Sequence, residues 1–128
     1  MEDFNITYDS DHKDVSIANQ VVSICAINGA RRTVGVNRLG ASATENVTQK
    51  LFKKESISKG VKISQQKDGI HVDVYLIVDY GVDILAVAWD TQTNVKNEIE
   101  TITEKKVANV NIHVQGVDIP TKRIKKGI

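Results

Sequence analysis

Two long segments alternate between apolar and polar residues, and this period of two predicts β-strands. In residues 70–79 one face carries Ile70, Val72, Val74, Leu76 and Val78. The other face carries His71, Asp73, Tyr75, Ile77 and Asp79. Residues 110–117 alternate in the same way, with Val110, Ile112 and Val114 on the apolar side. The two patterns predict a sheet with one buried face and one face open to water.

Shorter segments complete the predicted sheet. Residues 60–65 form a strand, and the Asp68-Gly69 pair that follows predicts a hairpin turn, because glycine takes the positive φ that tight turns need. Residues 5–8 predict a further short strand, whereas the glycines and small residues of 35–44 are typical of a loop. Pro120 has no backbone N–H, so strand pairing should end near it.

Apolar residues at steps of three and four predict helices. Asp83 is the expected N-cap of the longest helix, whose inward stripe is predicted to comprise Ile84, Ala88, Thr91, Val95, Ile99 and Ile102. An earlier helix is expected after an N-cap at Ser16, ending at Gly29 or one turn later toward Val34. Its helical spacing runs through Ile17, Val21, Ile24, Cys25 and Asn28. A short second helix is expected after Asn46, with an apolar side of Val47, Leu51 and Phe52.

The resulting order, β-α-(α)-β-β-α-β, predicts an α+β fold. Its helices are expected to pack on one face of a single-layer, mostly antiparallel sheet. With 128 residues the chain fits one domain. We assign residues 1–119 to that domain and residues 120–128 to a basic carboxy-terminal tail.

Composition excludes several classes of protein. The formal net charge is only +1 and no basic stripe follows an element, so DNA binding is not expected. Cys25 is the single cysteine and lies in an apolar helical pattern, which favours a reducing compartment. No apolar run reaches the roughly 18 residues of a membrane span, and the first residues lack the features of a signal peptide. We therefore expect a cytoplasmic protein.

Motifs of common enzymes are absent. The sequence contains no P-loop, no dinucleotide-binding glycine motif and no nucleophile elbow. Cys25 has no histidine near it in sequence and is expected to face the core, so a thiol nucleophile is not predicted. We predict no catalytic residue, no cofactor and no metal.

The polar sheet face is the first candidate site. His71, Asp73 and Tyr75 alternate on one predicted strand, and Asn111 and His113 on another. If the strands are neighbours, an Asp–His pair would meet across the ladder, as in acid–base chemistry or metal binding. Alternation alone also gives such rows on a solvated or oligomer-facing sheet, and no third ligand follows at metal-like spacing. Our hypothesis is that this face binds a partner.

Leu85 and Trp89 form the second candidate site. They are apolar residues four apart that lie away from the centre of the inward stripe, and tryptophan is enriched in interface hot spots. Either the second helix or the amino-terminal arm covers them, or they contact another protein. Partner binding is again our hypothesis.

The basic tail is the third candidate. It contains Lys122, Arg123, Lys125 and Lys126. Each base near an anionic lipid surface would contribute about 1 kcal/mol, but a solvated chain end has the same composition. RNA binding would add Arg31, Arg32, Lys53 and Lys54, without the interleaved aromatic residues that single strands prefer.

Several long blocks of sequence point to a known family. They are residues 59–63 (KGVKI), 72–81 (VDVYLIVDYG) and 110–117 (VNIHVQGV), together with residues 94–96 (NVK) in the long helix and 33–36 (TVGV) after the first. These blocks resemble the alkaline shock protein family, also called the envelope stress response family, of Gram-positive bacteria. The resemblance spans roughly residues 5–119.

The resemblance implies a non-enzymatic envelope stress response protein that forms homo-oligomers and reaches the membrane, in some members, through a membrane-anchored partner. The chain is most similar to short members often encoded beside a dihydroxyacetone-kinase-like kinase that phosphorylates fatty acids, which residues 51–56 (LFKKES) support. The alternatives are a regulatory partner of that kinase or of another lipid-metabolic enzyme, and a weak RNA-binding module. Trp89, where a polar residue is usual, and the basic tail depart from the family.

Overall fold

The computed structural model describes residues 15–40, 55–58 and 60–120. Within these residues two helices and five strands follow one another: α1 (Asn19–Arg31), β1 (Val36–Leu39), β2 (Glu55–Ser58), β3 (Val61–Gln66), β4 (Gly69–Asp79), α2 (Ile84–Thr103) and β5 (Val107–Asp118). The predicted strand at 5–8, the predicted helix after Asn46 and the bases of the tail lie outside the described residues.

β4 is the central strand of the sheet. β3 pairs antiparallel with its first half and β1 antiparallel with its second half, while β5 runs parallel to it along the opposite edge. β2 pairs antiparallel with β3. The hairpin between β3 and β4 has the predicted place, with Gln66 opposite Gly69. The prediction of a mostly antiparallel sheet in an α+β fold is confirmed.

Strands β1 and β3 meet end to end beside Tyr75. The Tyr75 N–H donates to the Gly60 carbonyl over 2.9 Å, and its carbonyl accepts from the Gly40 N–H over 2.7 Å. Gly60 has a φ of 79° and a Cβ there would lie 2.7 Å from the Leu39 Cβ, so only glycine fits this junction. The middle of β4 is thereby fixed on both sides.

The core lies between the sheet and the two helices. Val72, Val74, Leu76 and Val78 on β4 have no exposed surface, and both helices pack on this face. Gly29 of α1 lies so close to α2 that an added Cβ would be 2.8 Å from the Asn94 carbonyl oxygen. Small residues therefore set the distance between the helices.

The predicted inward stripe of α2 was partly wrong. Its buried residues are Val87, Thr91, Val95, Ile99 and Thr103, whereas Ile84 is 40% and Ile102 57% exposed. The Thr91 and Thr103 hydroxyls donate to the carbonyls four residues earlier, over 2.7 and 2.8 Å. Because the hydroxyls are satisfied within the helix, Thr91 is buried as predicted, and Thr103 is buried in place of the predicted Ile102. The predicted cap is confirmed, since the Asp83 side chain accepts from the Ala86 N–H.

The prediction for α1 was also partly wrong. Its buried face is made of Val22, Ser23, Cys25, Ala26, Gly29 and Ala30, and Val21 and Ile24 are exposed. This face is buried because only small residues allow α1 to lie so close to α2. Ala18, not Ser16, is the N-cap, and no side chain caps the helix. Residues before it are held by tertiary bonds instead, because Gln65 donates to the Ile17 carbonyl over 2.8 Å.

The sequence pattern did not predict two of the strands. Residues 35–44 were interpreted as a loop, but Val36–Leu39 form β1, and Glu55–Ser58 form β2. Each is four residues long, too short for an alternating pattern to stand out. Pairing with a neighbouring strand, not local propensity, makes these segments extended.

Candidate interaction surface

An Asp–His pair forms on the open face of the sheet. The parallel register places Asp73 opposite Asn111 and Tyr75 opposite His113. The Asp73 carboxylate lies 2.9 Å from His113 Nε2 and accepts from the Asn111 side chain over 3.3 Å. The rings of Tyr75 and His113 stack, with centroids 4.5 Å apart and planes 12° from parallel. The structure brings together four of the five residues predicted for this face.

The four side chains contact one another through two hydrogen bonds and one ring stack. Burial, followed by the negative charge of Asp73, raises the pKa of Tyr75 above its ordinary value, so its hydroxyl stays neutral. The side chains of Asp73 and His113 are 25% and 44% exposed. A carboxylate that orients an imidazole is also found in general bases and metal ligands. Among the described residues, however, no group of three His, Cys, Asp or Glu side chains is arranged to hold a metal ion.

His71 does not join this group. Its Nε2 lies 2.7 Å from the carboxylate of Asp68 in the hairpin turn. That hydrogen bond is the main reason why the pKa of Asp68 is lowered. The predicted row of polar residues is therefore divided into a central Asp73–His113 pair and a separate Asp68–His71 pair at the hairpin end.

A third polar group lies where β1, β4 and β5 come together. Asn37 donates to Asp79 over 3.0 Å, and Arg38 lies 3.6 Å from Asp118. The sequence prediction missed this group because it had assigned Asn37 and Arg38 to a loop. The remaining signal, an Asn-Arg pair beside two glycines, does not indicate which strand it pairs with.

Apolar side chains project from α2 near the β5 edge. Leu85 is 80% exposed and Trp89 68% exposed, and Val34, after α1, is 89% exposed. Trp89 lies where three clefts of about 480, 570 and 330 Å³ meet. Ile112 and His113 line the first of these, and Val34 lines the third. We call Val34, Leu85 and Trp89 the Trp89 patch. Sequence reasoning found two of its members but not Val34, which the turn after α1 exposes.

The basic residues considered for membrane or RNA contact do not form one group among the described residues. Lys122, Arg123, Lys125 and Lys126 lie outside the described residues. Arg32 is engaged with Glu98 over 2.8 Å, while Arg31 and Arg38 border a separate cleft of about 580 Å³. Neither described helix has the length and apolar character that crossing a membrane requires.

Comparison with known families shows which family this chain belongs to. The model of the alkaline shock protein family, described as having a cell envelope-related function, matches residues 7–119. The chain belongs to this family. The assignment made from the sequence blocks is thus confirmed, although the kinase-linked subgroup is not tested by it.

Relatives of this alkaline shock protein family member include two uncharacterized proteins of Bacillus subtilis. YqhY is 33% identical over 117 residues, covering 88% of this chain and 86% of its own. YloU is 33% identical over 108 residues, covering 82% of this chain and 88% of its own. Among solved structures, MamM CTD aligns with a TM-score of 0.49 at 12% identity, covering 80% of this chain and 100% of its own.

Proposed function

We propose that this member of the alkaline shock protein family acts at the cell envelope without catalysis, by self-association and by binding other proteins. The observation that carries the proposal is the Trp89 patch, in which a tryptophan and a leucine are more than two-thirds exposed beside three clefts. Scattered exposed apolar side chains are ordinary, but a large contiguous patch is typical of an interaction site. Tryptophan is also enriched among the residues that anchor protein interfaces.

The open sheet face supplies the polar part of the same contact. His113 lines a cleft next to Trp89 and belongs to the hydrogen-bonded pair with Asp73. An apolar centre with a polar border is the usual anatomy of a protein interface. Asp73, Asp79 and Asp118 share this face with Lys62 and Arg38, so it lacks the excess of positive charge that RNA phosphates would require.

The second partner that we propose is a membrane-anchored or lipid-metabolic protein, which would bring this chain from the cytoplasm to the membrane. The support is the envelope-related family and the patch itself. The fatty-acid-phosphorylating kinase is the lipid-metabolic candidate that the sequence resemblance suggests. Adding this protein to an assay of that kinase would show regulation as a change in rate.

The test is a double variant, Leu85→Ala with Trp89→Ala. Removing two anchor side chains should weaken self-association by roughly thirtyfold, equivalent to about 2 kcal/mol. The mass should be followed by light scattering over a dilution series, and partner recovery by capture from native extract that retains the membrane fraction. Thermal unfolding should change little, because both side chains are exposed.

Ile102→Ala is the matched control. It removes an apolar side chain that is 57% exposed on the same helix, away from the three clefts. It should leave the mass and the recovered partners unchanged. If the double variant behaves like this control in both measurements, the Trp89 patch is not the interaction site.

A further inference from the structure

The outer edge of β5 borders the clefts beside Trp89. In the described part of the chain β5 pairs with β4 alone. Two adjoining clefts follow its other edge over residues 107–113, and α2 forms their opposite wall. A trough that follows the free edge of a strand has the shape needed by an added strand.

Hydrogen bonds show which groups of β5 face this trough. The Lys106 carbonyl accepts from Ile70 on β4, whereas the Val107 N–H donates to Glu100 and the Val110 carbonyl accepts from Gln92, both on α2. The N–H and C=O of one strand residue point the same way, and successive residues alternate. Val110, Ile112 and Val114 therefore present their backbone groups outward.

The edge is regular only in its middle. Register shifts relative to β4 leave Ala108 and Gln115 as extra residues in β5. Between them, residues 109–114 form an uninterrupted stretch. Residues 107–117 contain no Lys, Arg, Asp, Glu or Pro, although natural edge strands commonly use such residues to block pairing. A neutral stretch of this kind can lie beside an identical stretch without repulsion between like charges.

We infer that β5 pairs antiparallel with β5 of a second copy, so that the two sheets become one. Outward residues must face outward residues, which places the two-fold axis at a residue. The two residues at the centre of the 109–114 stretch are Asn111 and Ile112. The axis at Ile112 places Val110 opposite Val114 and Lys106 of each copy opposite Asp118 of the other. The axis at Asn111 places Lys106 opposite Gly116. Only the axis at Ile112 sets opposite charges against each other, with Asp118 then shared between Lys106 and Arg38, and we choose it for that reason.

This inference rests on the proposed self-association and specifies how it occurs. The contact would bury Leu85 and Trp89, because both line the trough. Gln92 would give up its bond to Val110, since the second strand supplies a backbone donor to the same carbonyl. The partner chemistry is thus an uncharged extended strand with apolar residues on alternate positions, which β5 itself provides.

Cysteine cross-linking tests the register. Ile112→Cys is made in a Cys25→Ala background, so that the new thiol is the only one. Directly opposite residues with mutual hydrogen bonds have Cα atoms about 5.5 Å apart, within the range of about 4.4–6.8 Å that a disulfide spans. Mild oxidation should shift the 14.1 kDa band to a dimer on a non-reducing gel. Thr101→Cys, exposed on α2, is the control and should remain monomeric on the gel.

A proline variant gives an independent readout. Ile112→Pro removes an outward N–H without removing a bond to β4, so the edge strand should retain its fold. Its dimer should be lost in light scattering while cooperative thermal unfolding persists. If this variant fails to fold, the cysteine pair still decides the question.

The outcomes separate this inference from the proposed function. A wild-type protein that is monomeric at every concentration would overturn both. A wild-type oligomer whose Ile112→Cys variant cross-links no better than Thr101→Cys would overturn only the edge pairing. The edge would then be left to a terminal segment of this chain or to another protein. Cross-linking at Ile112 with loss of the dimer in Ile112→Pro would support it.

Discussion

The two faces of β4 have opposite chemistry although their residues alternate along one strand. Val72, Val74, Leu76 and Val78 have no exposed surface beneath the two helices. On the other face Asp73 and Tyr75 bind side chains of β5. The covered face is buried by the two helices, whereas neither described helix packs on the open face. Burial that stabilises the fold is thus confined to one side of this strand, and the polar residues of the proposed contact lie on the other.

This division predicts that changes on the open face cost less free energy of unfolding than changes on the covered face. The covered face gains its free energy from burial, at roughly 25 cal/mol per Å² of apolar surface. The open face gains much less, because its hydrogen bonds compete with water. Variants at adjacent positions of β4 should therefore differ greatly in cost.

Leu76→Ala should produce the largest effect. Removing a fully buried leucine leaves a cavity beneath the helices and should lower the free energy of unfolding by about 2–5 kcal/mol. Ile77→Ala, one residue later on the open face, is the matched control and should cost much less. Urea denaturation followed by circular dichroism measures both. Equal costs would show that the two faces do not differ as described.

Gly29→Ala tests how closely the helices cover the sheet. The added methyl would lie 2.8 Å from the Asn94 carbonyl oxygen and 2.9 Å from the Val95 Cα. Because these are backbone atoms, α1 must move away from α2, and the expected loss is about 1–3 kcal/mol. Asn28→Ala, on the exposed side of the same turn, should be nearly neutral. A gain in stability for Gly29→Ala, as helix propensity alone predicts, would contradict this close contact.

The sequence predicted the covered face better than the helices that cover it. Strand β4 alternates over eleven residues, so its register and its buried side follow from the pattern. The buried side of each helix was harder to predict, because Gly29 is buried by close packing against the other helix and Thr103 by a hydrogen bond within its own helix. Strand β1 could not be predicted, since four residues acquire their conformation only by pairing with β4.

In the candidate site, too, the face on which a residue lies could be predicted, whereas its side-chain contacts could not. Alternation placed Asp73 and His113 on the same face of the sheet, because a one-residue slip would expose the core. It did not determine which residues of the two strands lie opposite each other. The stacking of Tyr75 on His113 and the separate pairing of His71 with Asp68 depend on side-chain geometry. Val34 belongs to the Trp89 patch because of the turn after α1, which the sequence pattern did not predict.

The Asp73–His113 pair should contribute little to stability. A double-mutant cycle with Asp73→Ala and His113→Ala should give a coupling of roughly 0.2–1 kcal/mol, as for other exposed pairs. The single variants should retain cooperative unfolding. A coupling well above that range would mean that the open face also helps to hold the fold together. The comparison between the faces would then need revision.

Tyr75→Phe gives the smallest effect, and it appears only at high pH. Burial and the charge of Asp73 raise the pKa of the folded-state phenol above its ordinary value. The tyrosine of the unfolded chain therefore loses its proton first, at about pH 10. Stability that is fully present below that pH is lost as pH rises toward and through the folded pKa. Phenylalanine cannot ionise, so the variant should lose less thermal stability between neutral and strongly alkaline pH.

The matched control for that experiment is Tyr80→Phe, because Tyr80 is 65% exposed at the end of β4. Thermal unfolding of the three proteins should be measured across the same alkaline range. The wild type and the Tyr80→Phe variant should fall in parallel, with Tyr75→Phe falling less steeply. Parallel curves for all three would mean that water reaches the Tyr75 hydroxyl as freely as it reaches Tyr80. The centre of the open face would then be looser than its stacked rings indicate.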